Sequence, residues 1–215
     1  MKNNLHDKLI PFYGGENPTL FEIERRCMDR NGKVITFLDS VLPHSIVLDV
    51  GAGNGFTAEK LNRQHRLVIP LEPDEKMVDH TKNLIWTKGV AQAIPFHSNT
   101  FDAMYSTWAF FFDNVPNIED GLREVKRVVK KGGLIVIVDN YGDDEFTSYS
   151  PTNIASSVSE WVERGFSYEV INTEFVFDNV AEAKQLLTFY FGERGSKVNK
   201  TRLEYKVVAY TKINE

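Results

Sequence analysis

From about residue 45 onward, short apolar runs rich in β-branched residues alternate with segments whose apolar positions recur at helical spacing. That order predicts strands alternating with helices, and hence a mainly parallel sheet covered by helices on both faces. "SIVLDV" (45–50) has the continuous apolar pattern of a strand buried on both sides, so it should be central. A helix over "FTAEKLNRQ" follows, then a strand over "RLVIPLEP" (66–73) and a second helix over "DEKMVDHTKNL", with acidic residues in its first turn. "IWTKGVA" (85–91) and "FDAMYST" (101–107) read as strands three and four. In "NIEDGLREVKRVVKKGG", Ile118, Leu122, Val125 and Val129 are spaced by four, three and four, with Lys and Arg in the last turn and glycines after it, which predicts an amphipathic helix. "LIVIVDN" (134–140) is a fifth strand; a helix near 151–164, a strand near 167–177, a helix near 180–191 and a last strand near 202–213 complete the series. Residues 1–43, helical in part, are expected to cover the ligand edge of the sheet.

With 215 residues and 42% hydrophobic content, the chain can bury one substantial core and lies in the size range of a single α/β domain. A net charge of −5 argues against a nonspecific electrostatic grip on nucleic acid or an anionic membrane. A lone cysteine, Cys27, excludes a disulfide within these residues and is read as a small buried hydrophobe. His6, His44, His65, His80 and His97 show no paired ligand spacing, so no metal is expected. The start, "MKNNLHDKLIPFYGG", lacks the apolar run of a signal peptide, and the longest aliphatic run, Leu134 to Val138, is too short to span a bilayer. A cytoplasmic protein is the expectation.

The chemistry concentrates after the first strand, in "VLDVGAGNGF" (47–56). In open α/β sheets ligands bind beyond the carboxyl ends of the strands, where glycine allows close backbone approach and the next helix presents free N–H groups. A Walker phosphate loop would need Gly-Lys-Ser/Thr, but Gly55 is followed by Phe56 and Thr57. The dinucleotide fingerprint needs a small residue where Phe56 stands, which disfavours a nicotinamide-dependent oxidoreductase. What remains is an acid two positions before three alternate glycines: Asp49, then Gly51, Ala52, Gly53 and Gly55. Glu72 follows at the end of strand two, 19 positions past Gly53, where a carboxylate can accept both hydroxyls of an adenosine ribose.

These motifs resemble the class I S-adenosylmethionine-dependent methyltransferases, whose first motif is D/E-x-G-x-G-x-G. "GVAQAIPFHSNTFDAMYST" is similar to the family's segment that leads into the fourth strand, and "REVKRVVKKGGLIVIVDN" to the helix and fifth strand of the small-molecule type found in ubiquinone and menaquinone biosynthesis. The resemblance is good over roughly 45–140 and one of topology outside it. It implies a Rossmann-like three-layer sandwich with a seven-stranded, mainly parallel sheet whose last strand runs antiparallel beside strand five. It divides the single domain 1–215 into an N-terminal helical cover (1–43), a cofactor-binding half (44–140) and an acceptor-side half (141–215). The implied cofactor is S-adenosyl-L-methionine, with S-adenosyl-L-homocysteine as product. Its site would comprise Asp49, Gly51, Ala52, Gly53, Gly55, Glu72 and Pro73, with Ala91 and Gln92 against the adenine and Ser106 near the methionyl part. Gln92 stands where an acid is common in the family.

The implied reaction is transfer of a sulfonium methyl to a small-molecule acceptor by in-line displacement, driven mainly by proximity and alignment. Related enzymes often carry a histidine shortly after strand four; this chain has "STWAFFFDN" there, with Phe111 and Phe112 at the place of the imidazole. No catalytic residue is therefore assigned, and a binding protein without turnover stays open as an alternative. Trp108 and Phe111 are candidates for the acceptor wall, Asn140 and Tyr141 for acceptor contacts from the end of strand five, and Tyr13 for closure from the cover. His97 is read as a solvated loop residue.

Overall fold

The computed structural model describes residues 13–111 and 118–215. After a short 3-10 turn at Tyr13–Gly15 come α1 (Pro18–Cys27), with proline in its first turn, and α2 (Lys33–Val41). Asp29 joins them with φ at +50°, its carboxylate accepting the first amides of α2 from Lys33 at 3.0 Å and Val34 at 2.9 Å. Then follow β1 (Ile46–Val50), α3 (Phe56–Leu61), β2 (Leu67–Glu72), β3 (Thr87–Lys88), β4 (Phe101–Thr107), α4 (Ile118–Val128) and β5 (Val129–Asn140). The chain finishes with α5 (Glu145–Ser148), α6 (Val158–Glu163), β6 (Ser167–Val176), α7 (Val180–Phe191), α8 (Glu193–Ser196) and β7 (Arg202–Ile213).

One seven-stranded sheet has the order β3-β2-β1-β4-β5-β7-β6. The pairs from β3 through β5 are parallel, and β7 inserts antiparallel between β5 and β6. This is the Rossmann-like α/β architecture expected from the sequence. Alternation along the strands sorts side chains into two cores: in β5, Val136 and Val138 face the layer holding Leu38, Leu61 and Leu186, while Ile135 and Ile137 face Leu122, Val125 and Trp161. α1 is tied over the carboxyl end of the sheet by Arg26, which pairs with Glu182 at 2.9 Å and with Asp178, and by Arg30 donating to the Val176 carbonyl at 3.1 Å. Among the described residues no helix is long and apolar enough to cross a membrane.

One expected helix is absent and another is shortened. Residues 74–84 form turns, because Asp74 accepts the Lys76 amide at 3.0 Å and Asp79 accepts the Thr81 amide at 3.0 Å, local bonds that replace the helical ladder. The helix near 151–164 begins only at Val158; before it, Asn153 accepts the Ala155 amide at 3.0 Å and Ser150 Oγ accepts the Thr152 amide at 3.3 Å. Strand three shrinks to Thr87–Lys88.

Candidate functional site

The chain leaves β1 through a loop whose glycines all adopt left-handed backbone, with φ of +75° at Gly51, +56° at Gly53 and +74° at Gly55. A Cβ on Gly51 would stand 2.4 Å from that of Ala109, and one on Gly55 would meet Leu84 and Trp86 at 2.8 Å. Gly51 and Ala52 donate to the Leu71 carbonyl at 2.9 and 3.1 Å, and Lys82 Nζ donates to the Asn54 carbonyl at 2.8 Å. The loop is thus pinned at both ends, between β1 and β2.

Glu72 closes the loop from the other side. Its Oε2 accepts the Gly53 amide at 2.8 Å and its Oε1 the Asp74 amide at 3.0 Å. Burial pushes its carboxyl up to about 7, with those two backbone bonds pulling the other way. Asp49, 1% exposed at the end of β1, is raised to about 7 by burial too; Tyr105 Oη donates to its Oδ2 at 2.9 Å, and its Oδ1 has no partner among the described residues.

A cavity of about 220 Å³ opens above this loop. Gly51, Ala52, Gly53, Glu72 and Pro73 line it, as do Ala91, Gln92 and Trp108. Other expected residues stand elsewhere. Gly55 starts α3 outside the lining, and Asp49 lies beneath the loop. Ser106 is buried within the sheet, donating its hydroxyl to the Val50 carbonyl at 2.8 Å. Phe111 belongs to the core rather than to an acceptor wall: it is 2% exposed and packs edge-on against Phe110 and Trp161. Tyr141 packs on the same core layer and lines neither this cavity nor the next. The Tyr13 side chain and Phe112 lie outside the described residues. His97 is exposed.

Sequence reasoning named none of the cavity residues that α1 supplies, Phe21, Glu24 and Arg25, nor Met28 just past its end. The Arg25 guanidinium lies over the rings of Phe56 and Trp108, at 5.3 and 5.5 Å from their centroids, and its buried Nε has no hydrogen-bond partner among the described residues. The signal was faint: nothing in the spacing of Arg25 and Arg26 marks either as facing a ligand.

A second, larger cavity of about 830 Å³ adjoins the first, and the two share Glu24, Met28 and Trp108. Trp108 holds φ at +46°, and its Nε1 donates to Tyr205 Oη at 2.7 Å. Tyr205 in turn donates to Asn140 Oδ1, and Asn140 Nδ2 to the Ile154 carbonyl at 3.2 Å. Asn140, the last residue of β5, lines the second cavity. Among the described residues, neither cavity is lined by histidine, and no group of three His, Cys, Asp or Glu could hold a metal ion.

Residues 48–137 match the family model of a methyltransferase domain. Over 135 residues the chain is 29% identical to the uncharacterized methyltransferase YcgJ of Bacillus subtilis, covering 54% of this chain and 53% of that protein. It is 34% identical over 110 residues to the ubiquinone/menaquinone biosynthesis C-methyltransferase UbiE of Agrobacterium fabrum, covering 45% of this chain and 42% of that protein. The chain thus spans about half the length of the curated relatives it matches. The crystal structure of Bacillus YcgJ superposes with a TM-score of 0.58 at 20% identity, covering 86% of this chain and 99% of that one, and shares the fold.

Proposed function

We propose that this chain, a protein resembling the class I S-adenosylmethionine-dependent methyltransferases through its methyltransferase domain at 48–137, transfers a methyl group to a small-molecule acceptor. The observation that carries this reading is the pair of adjoining cavities: one framed by the glycine loop and Glu72, the other larger, the two meeting at Glu24, Met28 and Trp108. Donor and acceptor held on either side of that junction would be kept close and aligned, which is most of what an already activated methyl requires.

The residues present fit the donor. Gly53 presents bare backbone to the cavity, and the nearest atom to a Cβ placed there is Phe21 at 3.4 Å. Glu72, ionised, keeps a second lone pair on each oxygen for the ribose hydroxyls. Arg25, half-buried with an unpartnered Nε among the described residues, offers a cationic donor for the methionyl carboxylate. Pro73, Ala91 and Gln92 frame the place for the adenine. When bound, S-adenosylmethionine supplies a methyl carried on a sulfonium. Asp49 sets the floor of the loop through Tyr105 rather than reaching the cavity. In this reading 44–140 supply most of the donor contacts, 141–215 most of the acceptor chamber, and α1 covers both. Calorimetry with S-adenosylhomocysteine and a radiolabelled-methyl transfer screen test it; binding without transfer to any acceptor in excess of a Gly53→Trp control would leave only the donor half standing.

A further inference from the structure

The segment after β2 that stays out of a helix is the one that presses on the glycine loop. Leu84 and Trp86 stand 2.8 Å from the place of a Cβ on Gly55, and Met77, a wall residue of the donor cavity, stands 3.7 Å from that of Gly53. Lys82, set by a turn in which its amide donates to the Asp79 carbonyl at 3.2 Å, reaches the loop itself. Its Nζ donates to the Asn54 carbonyl at 2.8 Å from a side chain only 12% exposed, with Glu59 at 3.8 Å and Asp79 at 3.9 Å. Burial pulls this ammonium below its ordinary value and Arg25 acts in the same direction, while Glu59 and Asp79 oppose. Lys82 is not among the residues lining the donor cavity, whereas Asn54 is. Asn54 also stands between two left-handed glycines, Gly53 and Gly55, and peptide planes beside glycine turn at little steric cost. Two bonds hold the Asn54–Gly55 peptide: Lys82 on its carbonyl and, from its N–H, the Ala52 carbonyl at 2.9 Å.

We propose that Lys82 is a positioning residue for the methyl donor: by holding the Asn54 carbonyl it keeps Gly53 and Asn54 in the conformation that shapes the donor cavity. The proposal rests on the methyl-transfer reading above. Gly53 is the residue whose amide reaches Glu72 at 2.8 Å, so a turn of the next peptide disturbs the backbone facing the ligand and the acid facing the ribose together. Without the ammonium that peptide keeps only its Ala52 bond, and the loop spreads over conformations of which a fraction accept the donor. Apparent affinity falls by that fraction. A hydrogen bond from a charged group is strong enough to set a bias of about tenfold or more.

The test titrates the full chain and its variants with S-adenosylhomocysteine by calorimetry. Lys82→Met, which keeps an apolar stem of similar length and removes the donor, should weaken binding by at least about tenfold. Lys82→Arg keeps a cationic donor and should stay within about threefold of wild type. The loss in Lys82→Met should persist in high salt, which screens a distant charge but not a buried contact. Amide hydrogen exchange of the ligand-free protein supplies a local readout: residues 51–56 should exchange faster in Lys82→Met, while β1 and β2 keep their protection. Lys82→Gln, one bond shorter, replaces Lys82→Met should that variant lose its thermal transition. Wild-type affinity in Lys82→Met, equal losses in the Met and Arg variants, a loss that vanishes in high salt, or faster exchange throughout β1 and β2 each overturns the positioning role while the donor reading stands. Failure of the wild type to bind S-adenosylhomocysteine overturns the donor reading and this proposal with it.

Discussion

Replacing Glu72 by glutamine isolates the acid on which the donor reading depends. The wild-type carboxylate accepts one backbone amide on each oxygen, from Gly53 at 2.8 Å and from Asp74 at 3.0 Å, and retains one further acceptor position on each for a ribose hydroxyl. Glutamine keeps a single oxygen, so its NH₂ must face one of those two backbone donors, and no charge remains to strengthen a ribose bond. A hydrogen bond to a charged group contributes about 1.5–3 kcal/mol, so Glu72→Gln should weaken S-adenosylhomocysteine binding by about 10- to 150-fold. Isothermal titration near pH 8 reads this directly, with the carboxylate ionised in the wild type. The pH profile supplies the second half of the test. Since burial raises Glu72 to about 7, wild-type affinity should fall as the pH drops below about 7, by about tenfold one unit lower, whereas the variant should lose most of that slope. Asp49 titrates in the same range, so the comparison of the two proteins, not the wild-type curve alone, assigns the slope. Equal affinity of variant and wild type near pH 8 would refute the ribose role of Glu72.

Asp49 and Glu72 both carry carboxyls raised by burial to about 7, so the ligand-free fold binds protons that the unfolded chain releases. Their contribution is complete below about pH 4 and lost as pH rises to about 7; the melting temperature without ligand should therefore fall across pH 5–7, less so in Asp49→Asn, and a flat or rising profile contradicts this. Gly51→Ala combines a left-handed φ with a Cβ only 2.4 Å from that of Ala109, and should cost about 2–5 kcal/mol in denaturant unfolding. Gly132→Ala, with φ of +80° and nothing within 4 Å, should cost only the backbone penalty of about 1–2 kcal/mol; equal losses at the two sites would show that the close approach at Gly51 is unimportant. Arg25→Ala should weaken S-adenosylhomocysteine by about 10- to 100-fold yet leave adenosine affinity almost unchanged, because only the former carries the carboxylate; parallel losses for both ligands would remove Arg25 from that role.

What could be read in the sequence was what depends on local pattern. The bounds of α7 and β7 match the expected 180–191 and 202–213: Asn179 caps α7 by accepting the Glu182 amide at 2.9 Å, and β7 alternates between the two cores. The glycine loop was legible because the left-handed backbone at Gly51, Gly53 and Gly55 leaves little choice of residue. Asp74 misled, since the same side chain that favours a helix start also closes an Asx turn onto the Lys76 amide. Phe111 misled for another reason: an aromatic run does not reveal which ring turns into the core, and Phe111 meets Trp161 from a helix far along the chain. The places of Glu24 and Arg25 in the cavity wall were missed because they arise only when α1 docks over the sheet, through Arg26 and Arg30 contacts to residues some 150 positions away.

The central claim is that the cavity between the glycine loop, Glu72 and α1 holds S-adenosylmethionine. Parallel calorimetric titrations of the purified chain with S-adenosylhomocysteine and with NAD test it most directly. Saturable binding of S-adenosylhomocysteine at one site per chain, with no heat from NAD, is the predicted result. Saturable binding of NAD with no response to S-adenosylhomocysteine would contradict the account.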